Sequence, residues 1–238
     1  MLKLLKAIFP FRVKRTVKEH LGVPSLHWSL LNLKKSNYLP KIVYDIGAYH
    51  GNWAKDFMEV FPDVTMFMFE AQQSKEQILK SFSESNSNIH FCIALLSSND
   101  GNSVIFNENE TASSVILKPP FTWADKKITI SLDSIIKQNN YPLPDFLKLD
   151  VQGHELEVLK GGSIALNNAE LCLLEVSLLD IGEGNPLLSD IVKFMNEQNF
   201  QSYDICQFMR RPFDKALYQI DMLFVKKESK LISSKRWN

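Results

Sequence analysis

Apolar positions fall into short continuous runs separated by segments with helical spacing. From Lys41 the runs KIVYDIG, VTMFMFE and IHFCIALL read as strands buried on both faces. Between them WAKDFMEVF stops before Pro62, and QSKEQILKSF keeps its charges on one side, so both read as helices of about ten residues. Strands alternating with such helices predict a parallel sheet joined by right-handed crossovers. After Ser97 the chain turns polar: SSNDGN is a turn, and SVIFN and SSVILK read as an inserted hairpin. Beyond it come LDSIIKQ, a helix announced by Asp133, then DFLKLDV, a fourth core strand. HELEVLKGG follows as a helix ending at a glycine pair, and ELCLLEVSL as a fifth strand. Pro186 to Asn199 is helical, and QSYDICQF and DMLFVKK supply two closing strands. Pro24 to Leu33 forms a helix ahead of the first strand. The expected organisation is an N-terminal helical extension over 1–40 and one α/β domain over 41–238, with no repeat or linker.

Composition narrows the classes. Of 238 residues, 45% are hydrophobic and 23% charged, which excludes a disordered chain. Lys+Arg 27 balances Asp+Glu 27, so the bulk field has no pull on nucleic acid, and no nucleic-acid partner is expected. Three cysteines, Cys92, Cys172 and Cys206, lie far apart in apolar stretches and read as buried free thiols. No segment has the ~20 apolar residues that span a bilayer. Residues 1–18 carry only positive charges, Lys3, Lys6, Arg12, Lys14, Arg15 and Lys18, with apolar residues between them. Lys6 and Pro10 break the apolar run of a signal peptide, so the arm reads as retained. It either lies on an anionic membrane surface or packs on the domain with its basic face in water. The expected location is the cytoplasm, with peripheral contact at the inner membrane face if the arm seeks lipid.

The first strand ends in D-I-G-A-Y-H-G, with Asp45, Gly47 and Gly51. An open parallel sheet binds its ligand at the carboxyl ends of its strands, and glycine lets the backbone approach that ligand closely. A dinucleotide site wants a third glycine in register to seat a pyrophosphate. Here an acid two residues before Gly47 suits instead a ligand bearing an ammonium and a sulfonium, and S-adenosylmethionine is such a ligand. Glu70 ends the second strand, where a carboxylate can accept both ribose hydroxyls.

The blocks YDIGAYHG, FMFEA, LDSI, FLKLDVQGHELEVLKGG, LLEVSL and DMLFVKK, in this order from about Lys41 to Lys226, resemble the FkbM-type methyltransferases. The resemblance implies a class I methyltransferase fold. That is a Rossmann-like three-layer sandwich around a mostly parallel seven-stranded sheet with one antiparallel strand. It also implies S-adenosyl-L-methionine as cofactor and O-methylation of a hydroxyl on a sugar, glycan or natural product. Carried over by position, it puts Asp45, Gly47, Tyr49 and Gly51 at the methionine end of the cofactor and Glu70 on the ribose. Ala94 and Leu95 flank the adenine, and Asp150 stands beside the transferable methyl. Tyr49 stands where the family commonly has Asn, and Ala71 where it commonly has Pro.

A hydroxyl is a poor nucleophile while protonated, so the site calls for a proton acceptor. The turn D-V-Q-G-H brings Asp150 and His154 to one rim, and both are catalytic candidates; His154 has a structural alternative as a helix cap. Lys148, in mid-strand, needs a buried acid, either Asp45 or Glu175. No compact ligand spacing is present, so no metal is assigned, although Asp150 with a nearby carboxylate could hold Mg²⁺. The competing class is a non-catalytic cofactor-binding or membrane-associated module that kept the fold, against which the intact glycine loop speaks.

Overall fold

The computed structural model describes residues 21–108, 114–116, 125–181 and 184–237. The basic arm at 1–18 lies outside them. The helices are α1 (Leu26–Lys35), α2 (Asn52–Val60), α3 (Glu76–Glu84), α4 (Leu132–Asn139), α5 (Glu155–Lys160), α6 (Ser163–Asn168) and α7 (Leu188–Glu197). The main-sheet strands are β1 (Ile42–Ile46), β2 (Thr65–Glu70), β3 (Ile89–Ile93), β8 (Phe146–Leu149), β9 (Leu171–Ser177), β10 (Phe200–Arg210) and β11 (Leu217–Lys226). An inserted sheet holds β4 (Leu95–Leu96), β5 (Ser103–Asn107), β6 (Ser114–Ile116) and β7 (Asp125–Ile130).

The main sheet runs β10-β11-β9-β8-β1-β2-β3, and β11 alone is antiparallel to its neighbours. This is the seven-stranded class I methyltransferase sheet. Alternation along each strand sorts side chains to two faces. Tyr44, Ile46, Phe67, Phe69, Leu147 and Leu149 pack with Ile135 of α4, Leu159 of α5, Leu166 of α6 and Met195 of α7. Val43, Met66, Met68 and Phe146 face Leu30 and Leu33 of α1, Phe57 of α2 and Leu79 of α3. Helices therefore cover both faces, giving three layers. Helix α1 is part of that packing: Ser29 Oγ donates to Asp204 at 2.6 Å and Lys34 Nζ to the Val60 carbonyl at 2.6 Å.

Four local expectations change. IHFCIALL breaks at Ala94, and its end leaves the main sheet to pair with β7 in the inserted one. That inserted sheet has the order β4-β7-β5-β6, so the expected hairpin is half of it. Strand β7 escaped notice because DKKITI opens on three charged residues. Asp133 does not announce α4, whose cap is Ser131, accepting from Ser134 N; the Asp133 carboxylate takes the amides of Ile164 and Ala165 at the start of α6. Nor does the glycine pair close a helix in the left-handed manner, since Gly161 has φ −81°. A Cβ on Gly161 would lie 2.1 Å from the Ser97 carbonyl oxygen, so close approach of two backbones explains that glycine.

Candidate active site

Strand order reverses beside β1, which lies between β2 and β8, and a cavity of about 400 Å³ opens at the carboxyl ends there. Gly47, Tyr49, Glu70, Ala94, Leu95, Asp150 and His154 all line it. These seven predicted positions, scattered over more than 100 residues of sequence, are thus brought together.

Asp45 and Gly51 are not among the lining residues. Asp45 is wholly buried, and its register partner on β8 is Lys148. Lys148 Nζ pairs with Asp45 Oδ1 at 2.9 Å, an ion pair rather than an aligned hydrogen bond, and among the described residues neither carboxylate oxygen meets hydrogen-bond geometry. The ammonium donates instead to the carbonyls of Gly47 at 2.9 Å and Ile46 at 3.3 Å. Burial raises the Asp45 carboxyl against the pull of Lys148. Burial likewise opposes the Lys148 charge, but Asp45 and Asp150 outweigh it and hold the amine above its ordinary value. Of the two acids expected for Lys148, the structure therefore pairs it with Asp45, under the glycine loop. Gly51 sits behind that loop, where a Cβ would meet the Phe82 ring at 2.9 Å.

Gly47 has φ +76°, and a Cβ there would fall 1.9 Å from the Asp150 carbonyl oxygen. The glycine is required by the neighbouring strand before any ligand is considered. Tyr49 follows with φ +49°, its ring stacked on His50 at 3.8 Å. Its amide donates to Glu70 Oε2 at 2.7 Å, and the Gln72 amide donates to Oε1 at 2.8 Å. Glu70, only 5% exposed, thereby holds the loops after β1 and β2 while facing the cavity. The inserted sheet closes this side. Phe106 lines the cavity, and Lys127 donates to the Ala71 carbonyl while pairing with Glu108 at 2.6 Å.

On the other side Asp150 directly follows β8, with its side chain 41% exposed. His154 occupies the N-cap position of α5 but makes no side-chain cap bond. Its Nε2 instead lies 3.0 Å from Ser97 Oγ. Burial holds the imidazole below the ordinary histidine value, with Glu157 opposing, so it is neutral at physiological pH. Sequence reasoning missed Gln152, Glu175, Met209, Tyr218 and Gln219, which also line this end. Glu175 carried a signal, an acid in the apolar run LLEVSL, but was weighed only as a partner for Lys148. Among the described residues no group of three or more His, Cys, Asp or Glu is arranged to hold a metal ion, and no helix is long and apolar enough to cross a membrane.

The family model for the Methyltransferase FkbM domain matches residues 45–202, more than half of the chain. The hexuronic acid methyltransferase AglP of Haloferax volcanii is 35% identical over 79 residues, which cover 30% of this chain and 33% of that protein. The match thus spans a third of that curated relative's length. Among solved structures, the methyltransferase FkbM from Methylobacillus flagellatus aligns over 78% of this chain and 43% of its own, with 20% identity and a TM-score of 0.48. A putative O-methyltransferase from Klebsiella pneumoniae aligns over 94% of both chains, with 13% identity and a TM-score of 0.50, a likeness of fold. With that domain match laid over the seven-stranded sheet and its cavity, the chain belongs to the FkbM methyltransferase family.

Proposed function

We propose that this chain is a methyltransferase that uses S-adenosylmethionine to O-methylate a hydroxyl of a sugar or glycan. The observation that carries the reading is the pair of acids, Glu70 and Asp150, lining one cavity at the ends of the two strands that flank β1. The cavity volume lies in the range of cofactor sites. Glu70 has one amide on each oxygen, which leaves lone pairs for a ribose diol. Ala94, Leu95, Leu96 and Phe106 offer an apolar slot for an adenine. The residues present therefore fit S-adenosylmethionine, which supplies when bound a methyl group already activated by positive sulfur.

The roles follow from position. Glu70 holds the ribose, Ala94 and Leu95 flank the base, and the backbone at Gly47 and Tyr49 borders the methionyl end. Asp45 and Gly51 act from behind, by fixing that loop. Asp150 orients the acceptor hydroxyl by accepting its hydrogen bond, and neutral His154 takes the proton. A sugar acceptor is supported by the name of the curated relative and by a rim of Gln152, Tyr218 and Gln219, side chains suited to hydroxyl groups. The test is incubation of the full chain with S-adenosylmethionine and polysaccharide fractions, followed by mass spectrometry of the sugar fragments. A methyl ether on a hexose-type fragment, with matching S-adenosylhomocysteine, is expected. Transfer only to nitrogen, or to no saccharide fraction, overturns the acceptor class.

A further inference from the structure

Two acids and one amide meet at the acceptor end of the cavity. Gln152, in the turn between β8 and α5, holds a left-handed backbone with φ +55°. Its Nε2 reaches Asp150 Oδ1 at 3.0 Å and Glu175 Oε2 at 2.7 Å. Ionised carboxylates only accept, so the amide must turn one N–H to each acid. The register that pairs Leu149 with Leu174 continues to Asp150 and Glu175, so the two acids stand side by side under one shared amide, and a direct bond between them needs a proton on one.

The surroundings decide which acid carries it. Glu175 faces Asp150 from β8, Glu155 from the start of α5, and Asp221 and Tyr218 from β11. Lys148 is the cation near it among the described residues, and that ammonium is engaged by Asp45 and two carbonyls. Burial, then these acids, push Glu175 up to about 10. Asp150 is the more exposed of the two and has solvent for its charge.

We propose that Glu175 is a positioning residue that works as a neutral carboxylic acid, donating to the Asp150 carboxylate and, with Gln152, holding it toward the cavity. The acceptor end then carries one negative charge where two acids stand. The role rests on the reading of Asp150 as the group that orients the acceptor hydroxyl. Glutamine reproduces the neutral form: its carbonyl accepts from Gln152 and its amide donates to Asp150. Leucine reproduces neither.

Carbon-13 NMR of the full chain labelled at glutamate carboxyls tests the proton directly. One resonance should stay protonated through neutral pH, titrate only in the alkaline range, and vanish in Glu175→Gln. In turnover, Glu175→Leu should cost about tenfold or more, and Glu175→Gln should recover most of that loss while abolishing an alkaline fall in rate. The proposal is overturned if every glutamate titrates below about pH 8. It is also overturned if Glu175→Gln falls as far as Glu175→Leu, or if a chelator abolishes activity and Mg²⁺ restores it, since the pair then holds a cation. Calorimetry of S-adenosylmethionine on the wild-type chain is read separately. Absent binding there counts against the methyltransferase site as read above, and the NMR titration still decides the state of Glu175.

Discussion

The two ends of the cavity are built by different means. At the cofactor end backbone does the shaping. Glu70 collects the amides of Tyr49 and Gln72, and Gly47 presses against the Asp150 carbonyl. At the acceptor end side chains do it: Glu175, Met209 and Tyr218 arrive from three strands, and Asp150 and Gln152 from the turn after β8. A backbone-built site is sensitive to a Cβ in the wrong place. A site built from clustered acids is sensitive to protons. Substitutions at the first end should therefore disturb fold and cofactor together, whereas those at the second should change chemistry and pH dependence while the fold persists.

The largest effect is expected at Gly47. Valine there meets a carbonyl at sub-contact distance in a left-handed conformation, a combined cost of about 3–5 kcal/mol. Thermal unfolding without any ligand should show the loss. A Gly47→Val protein of wild-type stability that merely fails to bind would move the glycine's role from fold to cofactor.

Next comes His154→Ala, expected to cut turnover about 10²–10⁴-fold with cofactor affinity unchanged. The folded imidazole titrates below the ordinary value, so the wild-type rate should fall as pH drops through that lowered pKa. The variant should lack this acid limb. Near-normal turnover with an unchanged profile would remove His154 from proton transfer.

The contrast between the ends also explains what the sequence made legible. The cofactor end is local: a strand, a glycine turn and an acid at the next strand's end follow from runs such as KIVYDIG and FMFE, and their order predicted the sheet. The acceptor end depends on register between distant strands. Glu175 meets Asp150 because β9 lies beside β8, and Tyr218 and Asp221 join them because β11 inserts antiparallel beside β9. No spacing in one dimension announces that meeting. Asp45 shows the converse, since its place in the motif suggested ligand contact, while register sets it against Lys148 inside the sheet. Asp133 was legible as a cap but not as a cap for α6, a helix about thirty residues away.

A smaller effect is expected from Glu175→Gln on stability. Burial first, then Asp150, raises the folded pKa of Glu175 from 4.5 to about 10, so the folded state holds a proton that the unfolded state releases. The stability this proton contributes is fully present below pH 4.5 and is lost as pH rises toward 10. Thermal midpoints of the wild type should decline over that window more steeply than those of Glu175→Gln. Parallel curves would contradict the assigned proton.

The smallest effect on the cavity is expected from deleting residues 1–18, which should leave S-adenosylmethionine affinity unchanged because the lining residues begin at Ile46. If the arm seeks anionic lipid, co-sedimentation with acidic liposomes should be lost on deletion and weaken with salt. Equal sedimentation of both chains favours an arm packed on the domain.

Titration calorimetry of the full chain with S-adenosylmethionine, alongside Glu70→Ala, tests the central claim most directly. One site is predicted for the wild type. Loss of a charged acceptor contributing about 1.5–3 kcal/mol should weaken binding roughly 10- to 100-fold in the variant, which should still fold. No binding by the wild-type chain, or equal affinity in both proteins, would contradict the placement of the cofactor in this cavity.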